Sequence, residues 1–397
     1  MTQSATDWQA REAQVYHQTF ARAPVTLVRG SGMQVWDDAG NEYLDFAAGI
    51  AVNALGHANP DIADAVAEQA RTLVQVSNLF YTTPQVELGE RLTGHSALDR
   101  VFFVNSGGEA TETCVKIARK WGRQNRDGAT GVITTLRGFH GRSLAMTAAT
   151  GTPAYHEPFE PMPAGFTHVP YNDLDAVRDA IDDSTAAVML ELIQAEGGVW
   201  VADTEYVTGL RELCDEHGIL LILDEVQTGI GRTGKLFAYE HFGVTPDLMA
   251  LAKGLGGGLP IGAALSTERC SVLRPGDHGS TFSGNPLVCA GARVVFDHVT
   301  APGFLDEVAR KGDHAAAELR RLGRETGEIT DVRGLGLLVG FDLTGPERAD
   351  HVIAYARDHG VLLIKAAAAT IRLVPALTIS DAELDTGLEV IGTALRA

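Results

Sequence analysis

The chain has 397 residues, 45% of them apolar, with 32 lysines and arginines against 51 aspartates and glutamates, a formal charge of −19. So acidic a chain, without a basic run, is repelled by nucleic acid and anionic membranes, and no segment reaches the roughly 18 consecutive apolar residues of a spanning helix. Four scattered cysteines without CxxC spacing (Cys114, Cys214, Cys270, Cys289) and an N-terminus lacking a basic stretch before an apolar one predict a cytoplasmic protein with reduced thiols and no metal site.

From Pro24 to Asn53 short alternating runs broken by glycine turns predict a small antiparallel meander. Helical spacing follows over Asp61–Val76 and Pro84–Leu92. Strand-like runs then alternate with helical ones: Arg100–Val104, Gly131–Thr135, Ala187–Leu192, Leu220–Leu223 and Leu248–Ala252, separated by helices such as Glu109–Arg123 and Tyr206–His217. That alternation predicts an α/β core on a largely parallel sheet, spanning residues 58–300. After residue 300 a helix over Phe304–Arg321, a strand region in I-T-D-V-R-G-L-G-L-L-V-G-F-D-L, a helix over Ala349–His359 and the runs V-L-L-I-K and T-I-R-L-V-P predict a smaller α+β lobe, 301–397. No flexible linker separates the lobes, so they are expected to share an interface.

The chain has only six lysines: Lys116, Lys120, Lys235, Lys253, Lys311 and Lys365. Lys253 closes the apolar run L-M-A-L-A and precedes the glycines of K-G-L-G-G-G. Apolar surroundings penalise the ammonium form, and a lysine amine does carbonyl chemistry only when neutral. Asp224 ends the strand-like run I-L-L-I-L, where a carboxylate can hold a protonated ring nitrogen, the partner that a pyridoxal phosphate ring requires. Lys365 also ends an apolar run and competes with Lys253, and a strand-end lysine reaching water is the plain alternative for either.

Asn105-Ser106-Gly107-Gly108-Glu109 joins a strand to a helix, so the amides of Gly107 and Gly108 are candidates to meet a phosphate, while Ser106 can equally be an ordinary helix cap. In Gly138-Phe139-His140-Gly141-Arg142, Phe139 suits stacking on a planar ring or simple core packing, and His140 has no acid beside it in sequence. Arg142 and Arg372 are candidates to grip carboxylates through paired hydrogen bonds. Arg372 lies in a strand and needs a partner, for which Glu196, at a strand end near Glu191, is available; an exposed loop acid is the alternative for either glutamate. Gly334, Gly336 and Gly340 have the wrong spacing for a dinucleotide loop, which argues against a nicotinamide enzyme.

The segments L-I-L-D-E-V-Q-T-G-I-G-R-T-G, D-L-M-A-L-A-K-G-L-G-G-G-L-P-I-G-A and H-G-S-T-F-S-G-N-P-L resemble, in order and spacing, the class III, fold-type I pyridoxal-phosphate aminotransferases, and the likeness spans nearly the whole chain. Gly49–His57, Ser77–Gln85 and Gly138–Ser143 look most like the members that act on acetylornithine. The resemblance implies a large domain on a mostly parallel sheet, 58–300, and a smaller α+β domain built from the two chain ends, 1–57 and 301–397. It implies pyridoxal 5'-phosphate bonded to Lys253, with Asp224 at the ring nitrogen, Val226 and Phe139 on the ring faces and Gln227 near the phenolic oxygen. Ser106, Gly107 and Gly108 would hold the phosphate, and His140 and Glu225 complete the expected cofactor set.

The resemblance also implies a homodimer with interfacial sites, in which Thr281 reaches the phosphate of the other subunit and Ser280 lies near the substrate. Arg142 would anchor the donor's carboxylate, while Glu196 pairs with Arg372 and later frees it for 2-oxoglutarate. The implied reaction moves the terminal amino group of N2-acetylornithine to 2-oxoglutarate, giving N-acetylglutamate 5-semialdehyde and glutamate, a step of arginine biosynthesis. Ornithine, succinylornithine, 4-aminobutyrate and carrier-linked lysine are the alternative donors, and intact Lys253, Asp224 and Arg372 argue against a non-enzymatic sensor. The chain departs from the family in Gly108, in Leu192 and Ala195 before Glu196, and in Lys365. The first change should preserve the backbone contacts, the second is expected to shift Glu196, and the third to alter the pocket wall.

Overall fold

The computed structural model describes residues 7–397. The N-terminal meander consists of β1 (Leu27–Ser31), β2 (Gln34–Asp37) and β3 (Glu42–Asp45), paired antiparallel. The core comprises β4 (Arg100–Val104), β5 (Gly131–Thr135), β6 (Phe166–Val169) and β7 (Thr185–Leu190), then the two-residue strands β8 (Ile193–Gln194) and β9 (Trp200–Val201). It is completed by β10 (Leu220–Asp224), β11 (Leu248–Leu251) and β12 (Gly262–Ser266).

Seven of these form one sheet in the order β4-β12-β11-β10-β7-β5-β6, with β12 antiparallel to both its neighbours and the other pairs parallel. Every residue of β7, β10 and β11 is buried, as the unbroken apolar runs require of strands covered by helices on both faces. One such helix, Gly107–Asn125, buries Ala110, Cys114, Ile117, Ala118 and Trp121 against the sheet. The shared direction of the strands gathers polar groups at one place. Asn105, Glu191, Asp224 and Ala252 each lie at or just beyond the carboxyl end of a strand that points to the same edge of the sheet.

The last third contributes β13 (Ile329–Leu335), β14 (Leu338–Leu343), β15 (Val361–Leu362), β16 (Ile364–Lys365) and β17 (Thr370–Leu373). The run V-L-L-I-K, read as one strand, is divided between two sheets. β15 lies parallel to β3 and so ties the chain's two ends into one sheet, while β16 pairs with β17 in the antiparallel order β13-β14-β17-β16. The helix predicted over Asp61–Val76 ends at Thr72, because Leu73 is already extended at φ −164°.

The small lobe is fastened to the large one by a buried arginine, and within the small lobe one helix packs tightly on a turn. The buried Arg232 donates from Nη1 to the carbonyls of Leu337 (2.9 Å) and Pro375 (2.6 Å). Helix Phe304–Thr326 lies directly on the β13–β14 turn at Gly312, where an added Cβ would run into the carbonyl of Gly336. Because the obstacle is backbone, it cannot move aside as a side chain would. Gly312→Ala is therefore expected to lower stability by about 1–3 kcal/mol, read as a drop in the thermal midpoint by circular dichroism; an unchanged midpoint would show that the contact is not tight.

Candidate active site

A cavity of about 350 Å3 opens at the sheet edge where the strand ends converge. Its walls come from Asn105–Gly108 after β4, Phe139–Gly141 after β5, Glu191 after β7, Asp224, Val226 and Gln227 at the end of β10 and Ala252–Lys253 after β11. This is the crevice where open α/β sheets place ligands. Residues as far apart in the chain as Asn105 and Lys253 meet here because each sits at the same end of its strand.

Lys253 is the only lysine lining the cavity. Its backbone is left-handed at φ +42°, an uncommon conformation for a residue with a Cβ that turns the chain from β11 into the short helix Lys253–Gly256. Burial lowers its pKa from 10.5 to about 8; Glu196, Asp224 and Glu191 oppose the shift and Arg372 reinforces it. A substantial share of the amine is therefore neutral near physiological pH. Lys365, the competing residue, lies elsewhere: its Nζ pairs with Asp350 at 2.6 Å. The expectation that it alters the pocket wall is thereby corrected.

Asp224 Oδ1 accepts from the amide of Val226 (3.0 Å) and Oδ2 from His140 Nδ1 (2.8 Å). Both Asp224 and His140 are buried. Burial works against an imidazolium at His140, yet the Asp224 hydrogen bond and charge prevail and raise its pKa. The acid missing beside His140 in sequence is thus supplied from 84 residues away. Glu191, also buried in the wall, accepts from the Phe139 amide at 2.8 Å. Desolvation, reinforced by Asp224 and opposed by His140, pushes its carboxyl well up from the ordinary range.

At the opposite wall, helix Gly107–Asn125 points its N-terminus into the cavity. The first amides of a helix lack intrahelical acceptors and favour anions. Ser106 Oγ accepts from Glu109 N at 3.2 Å, so the serine does cap its helix. A side chain at Gly107 would lie 2.7 Å from Val226 Cγ1, whereas Gly108 has nothing closer than 3.6 Å, so the backbone at Gly108 is open to a close ligand.

Arg372 is buried on β17, and its Nη1 donates to Glu196 Oε1 (2.8 Å), Gln227 Oε1 (3.0 Å) and the Ala195 carbonyl (3.0 Å). Burial raises the pKa of Glu196, but Arg372 and Lys253 outweigh it and hold the carboxyl below its usual value. Leu192 and Ala195 do not displace Glu196 from this pairing, contrary to expectation: the buried guanidinium fixes its position.

Glu225 also departs from expectation. Its carboxylate turns away from the cavity and accepts from the amides of Ala238 (2.6 Å) and Tyr239 (2.8 Å), because alternate residues after a strand face opposite sides. Arg142 is exposed, lying over the rings of Tyr155 (4.0 Å) and Phe139 (5.2 Å). Ser280 Oγ accepts from Asn105 Nδ2 at 2.8 Å, while Thr281 is exposed and outside the cavity of its own chain.

Sequence reasoning did not find the wall formed by Val52, Gly258, Leu259, Pro260 and Ile261, nor a second chamber of about 590 Å3. The chamber shares Phe139 and Glu196 with the first cavity and is walled by Tyr155, Trp200, Arg137 and the alanines 366–369. No motif marks these residues; only the docking of the small lobe brings them together.

The family model described as aminotransferase class-III matches residues 15–395. The chain is 49% identical over 385 residues to the acetylornithine aminotransferase of Gloeobacter violaceus, covering 96% of each. It is 46% identical over 378 residues to that of Caldanaerobacter subterraneus subsp. tengcongensis, covering 95% of this chain and 96% of the other. Among solved structures it is similar to the ornithine aminotransferase of Toxoplasma gondii, with a TM-score of 0.95, 33% identity and 99% and 95% of the two chains covered. It is also similar to the N-acetylornithine aminotransferase of Stenotrophomonas maltophilia, at a TM-score of 0.83, 37% identity and 98% of each chain covered.

The charge environment of Lys253 makes a prediction for the ligand-free protein. Only the neutral amine is acylated, so labelling of Lys253, mapped by peptide mass, should rise with pH around a midpoint of about 8. Glu196→Gln removes an anion that stabilises the ammonium and should move that midpoint down. A midpoint near that of a free lysine, or one that moves up in the variant, would contradict the assigned environment.

Proposed function

The chain belongs to the class-III aminotransferases, and on that premise we propose that it transfers the terminal amino group of N2-acetylornithine to 2-oxoglutarate, yielding N-acetylglutamate 5-semialdehyde and glutamate. The cofactor is pyridoxal 5'-phosphate. The near full-length similarity to acetylornithine aminotransferases supports the donor. The observation that carries the mechanism is the Glu196–Arg372 pair at 2.8 Å beside a desolvated lysine.

The residues present fit the cofactor. A helix N-terminus with an open glycine backbone at Gly108 suits a phosphate, and a buried carboxylate faces the cavity from the other side. In this reading Ser106, Gly107 and Gly108 hold the phosphate, Asp224 keeps a proton on the ring nitrogen, and His140 fixes the Asp224 carboxylate. Phe139 and Val226 line the two ring faces, and Gln227 lies by the phenolic oxygen. Bound there, the cofactor supplies a cationic ring that takes up the electron pair left when a substrate C–H bond breaks.

Lys253 is the covalent anchor, and its neutral amine moves the proton at the substrate carbon that carries the nitrogen. Glu196 sorts the two substrates. While it neutralises Arg372, the cavity offers no cation beside the reacting carbon, which favours a donor entering by its terminal amine with its α-carboxylate at Arg142. When Glu196 withdraws, Arg372 can hold the α-carboxylate of 2-oxoglutarate by paired hydrogen bonds. An acid with a lowered pKa stays ionised across the physiological range, so the mask is displaced by a competing carboxylate rather than by protonation.

The proposed assembly is a homodimer. Leu79, Phe80 and Tyr81 are 82%, 68% and 100% exposed, and Phe282 beside Thr281 is 65% exposed. Such a run of exposed apolar side chains suits an interface, and Thr281 is then placed to serve the phosphate site of a second copy. We place the protein in the cytoplasm, which suits its four buried, unpaired cysteines.

The donor assignment is tested by comparing kcat/KM for acetylornithine, ornithine and 4-aminobutyrate with 2-oxoglutarate as acceptor. Acetylornithine should be best; equal or better turnover of 4-aminobutyrate, which has no α-carboxylate for Arg142, would overturn it. Lys253→Ala should reduce transamination by roughly 10²–10⁴-fold, and borohydride should fix the cofactor to Lys253 and to no other lysine. For the assembly, Phe80→Asp with Tyr81→Asp should give a monomer by analytical ultracentrifugation that retains cofactor poorly, whereas a persistent dimer would place the interface elsewhere.

A further inference from the structure

Thr281 is assigned to the phosphate site of a second copy, yet the segment that carries it belongs to no helix or strand. Among the described residues, 278–281 make no backbone-to-backbone hydrogen bond, so side chains place them. Arg274–Asp277, Gly279, Thr281 and Phe282 are exposed, and His278 and Ser280 turn inward between them. The carbonyls of Thr281 and Ser280 accept from Gln75 and Asn78.

His278 reaches helix Gly107–Asn125, whose N-terminus is the proposed phosphate seat of its own chain. Its Nε2 lies 3.0 Å from Thr113 Oγ1 and its Nδ1 2.8 Å from Lys116 Nζ. The ring stacks on Phe102 of β4, with centroids 4.8 Å apart and planes 21° from parallel. These contacts select one protonation state. An ammonium only donates, so Nδ1 must accept with its lone pair. Nε2 then carries the ring's hydrogen and donates to Thr113, whose own hydroxyl donates to the Glu109 carbonyl at 2.7 Å. Two further ties hold the same segment: Asp277 pairs with Lys120 of the helix, and Ser280 Oγ accepts from Asn105 at the cavity rim.

We propose that His278 is a positioning residue for cofactor binding: as a neutral imidazole docked on Thr113, Lys116 and Phe102 it sets the loop that presents Thr281 to the second copy, and protonation of the ring releases that loop. The inference rests on the proposed homodimer, with Thr281 at the phosphate site of the second copy. A protonated ring would turn an N–H towards the Lys116 ammonium, so docking loses an acceptor and meets a like charge. The groups facing the ring are Lys116, Glu112 and Glu109 of the helix; β4 presents the uncharged Phe102, and Asp277 of the ring's own segment is held by Lys120. Burial, then Lys116, lower the imidazole pKa from 6.5, and the two glutamates only oppose this. Docking is therefore complete above the ordinary imidazole value and is lost as pH falls through the lowered one. One helix thus serves two cofactors, its own chain's through its first amides and the second copy's through His278.

The test measures the affinity of the protein for pyridoxal 5'-phosphate by absorbance across pH, with assembly followed by analytical ultracentrifugation. His278→Leu should weaken cofactor affinity about tenfold near neutral pH with the dimer intact. His278→Gln, which keeps a donor and an acceptor but does not titrate, should recover part of that affinity and lack the acid-sensitive fall of the wild type between about pH 7 and 5. In a Thr281→Ala background, which lacks the hydroxyl that the loop delivers, His278→Leu should cost little more, a non-additivity that general loosening of the fold would not produce. Full affinity in His278→Leu, a His278→Gln profile that falls with acid as the wild type does, equal losses with and without Thr281, or a variant that dissociates to monomers each overturns the proposal and leaves the dimer reading intact. A wild-type holoenzyme that is monomeric overturns both.

Discussion

The site depends on the desolvation of one amine. Lys253 is held in a wall where water cannot fully stabilise its charge, and the lowered pKa that results is the condition for any carbonyl chemistry there. The surrounding charges are arranged around that constraint. Asp224, Glu191 and Glu196 pull the amine back towards its ammonium form and Arg372 pushes it away, so the balance is struck near neutrality. An uncompensated apolar pocket would depress the amine further, and a fully paired one would leave it inert.

The buried polar groups of the wall are linked rather than independent. His140 bonds Asp224, Glu191 bonds the backbone of Phe139, and Glu196 links Arg372 to Gln227. Each partner comes from a different strand, so the network also registers the strand ends against one another. The small lobe takes part directly, because Arg372 belongs to β17 while its acceptors belong to the large lobe. Arg232, reaching the other way to Leu337 and Pro375, fastens the same seam. The seam that holds the lobes together is thus also the one in which Glu196 pairs with Arg372.

Much of this was legible in the sequence, for identifiable reasons. The buried strands read as unbroken apolar runs, and their ends carried the punctuation of Asp224, Ser106-Gly107-Gly108 and Lys253-Gly254, each with a local chemical meaning. Failures came where a residue's role was decided across the fold. Glu225 entered the expected cofactor set through the family resemblance, yet its carboxylate turns to the backbone of Ala238 and Tyr239. Lys365 looked like a rival because it ends an apolar run, yet that run is shared between two sheets and delivers the lysine to Asp350. Glu191 was noticed but given no task, since nothing local indicates that its carboxyl is desolvated.

By itself, then, the sequence determined the alternation of strands and helices and singled out Lys253, Asp224 and the Ser106-Gly107-Gly108 turn as candidates, because each rests on short-range patterns of apolarity, glycine and charge. The tertiary structure decided which strand ends become neighbours, which acids face the cavity, that Glu196 rests on Arg372, and that a second chamber adjoins the first. Those depend on burial and on distances between residues far apart in the chain, and desolvation and Coulomb energy exist only once the fold has set them.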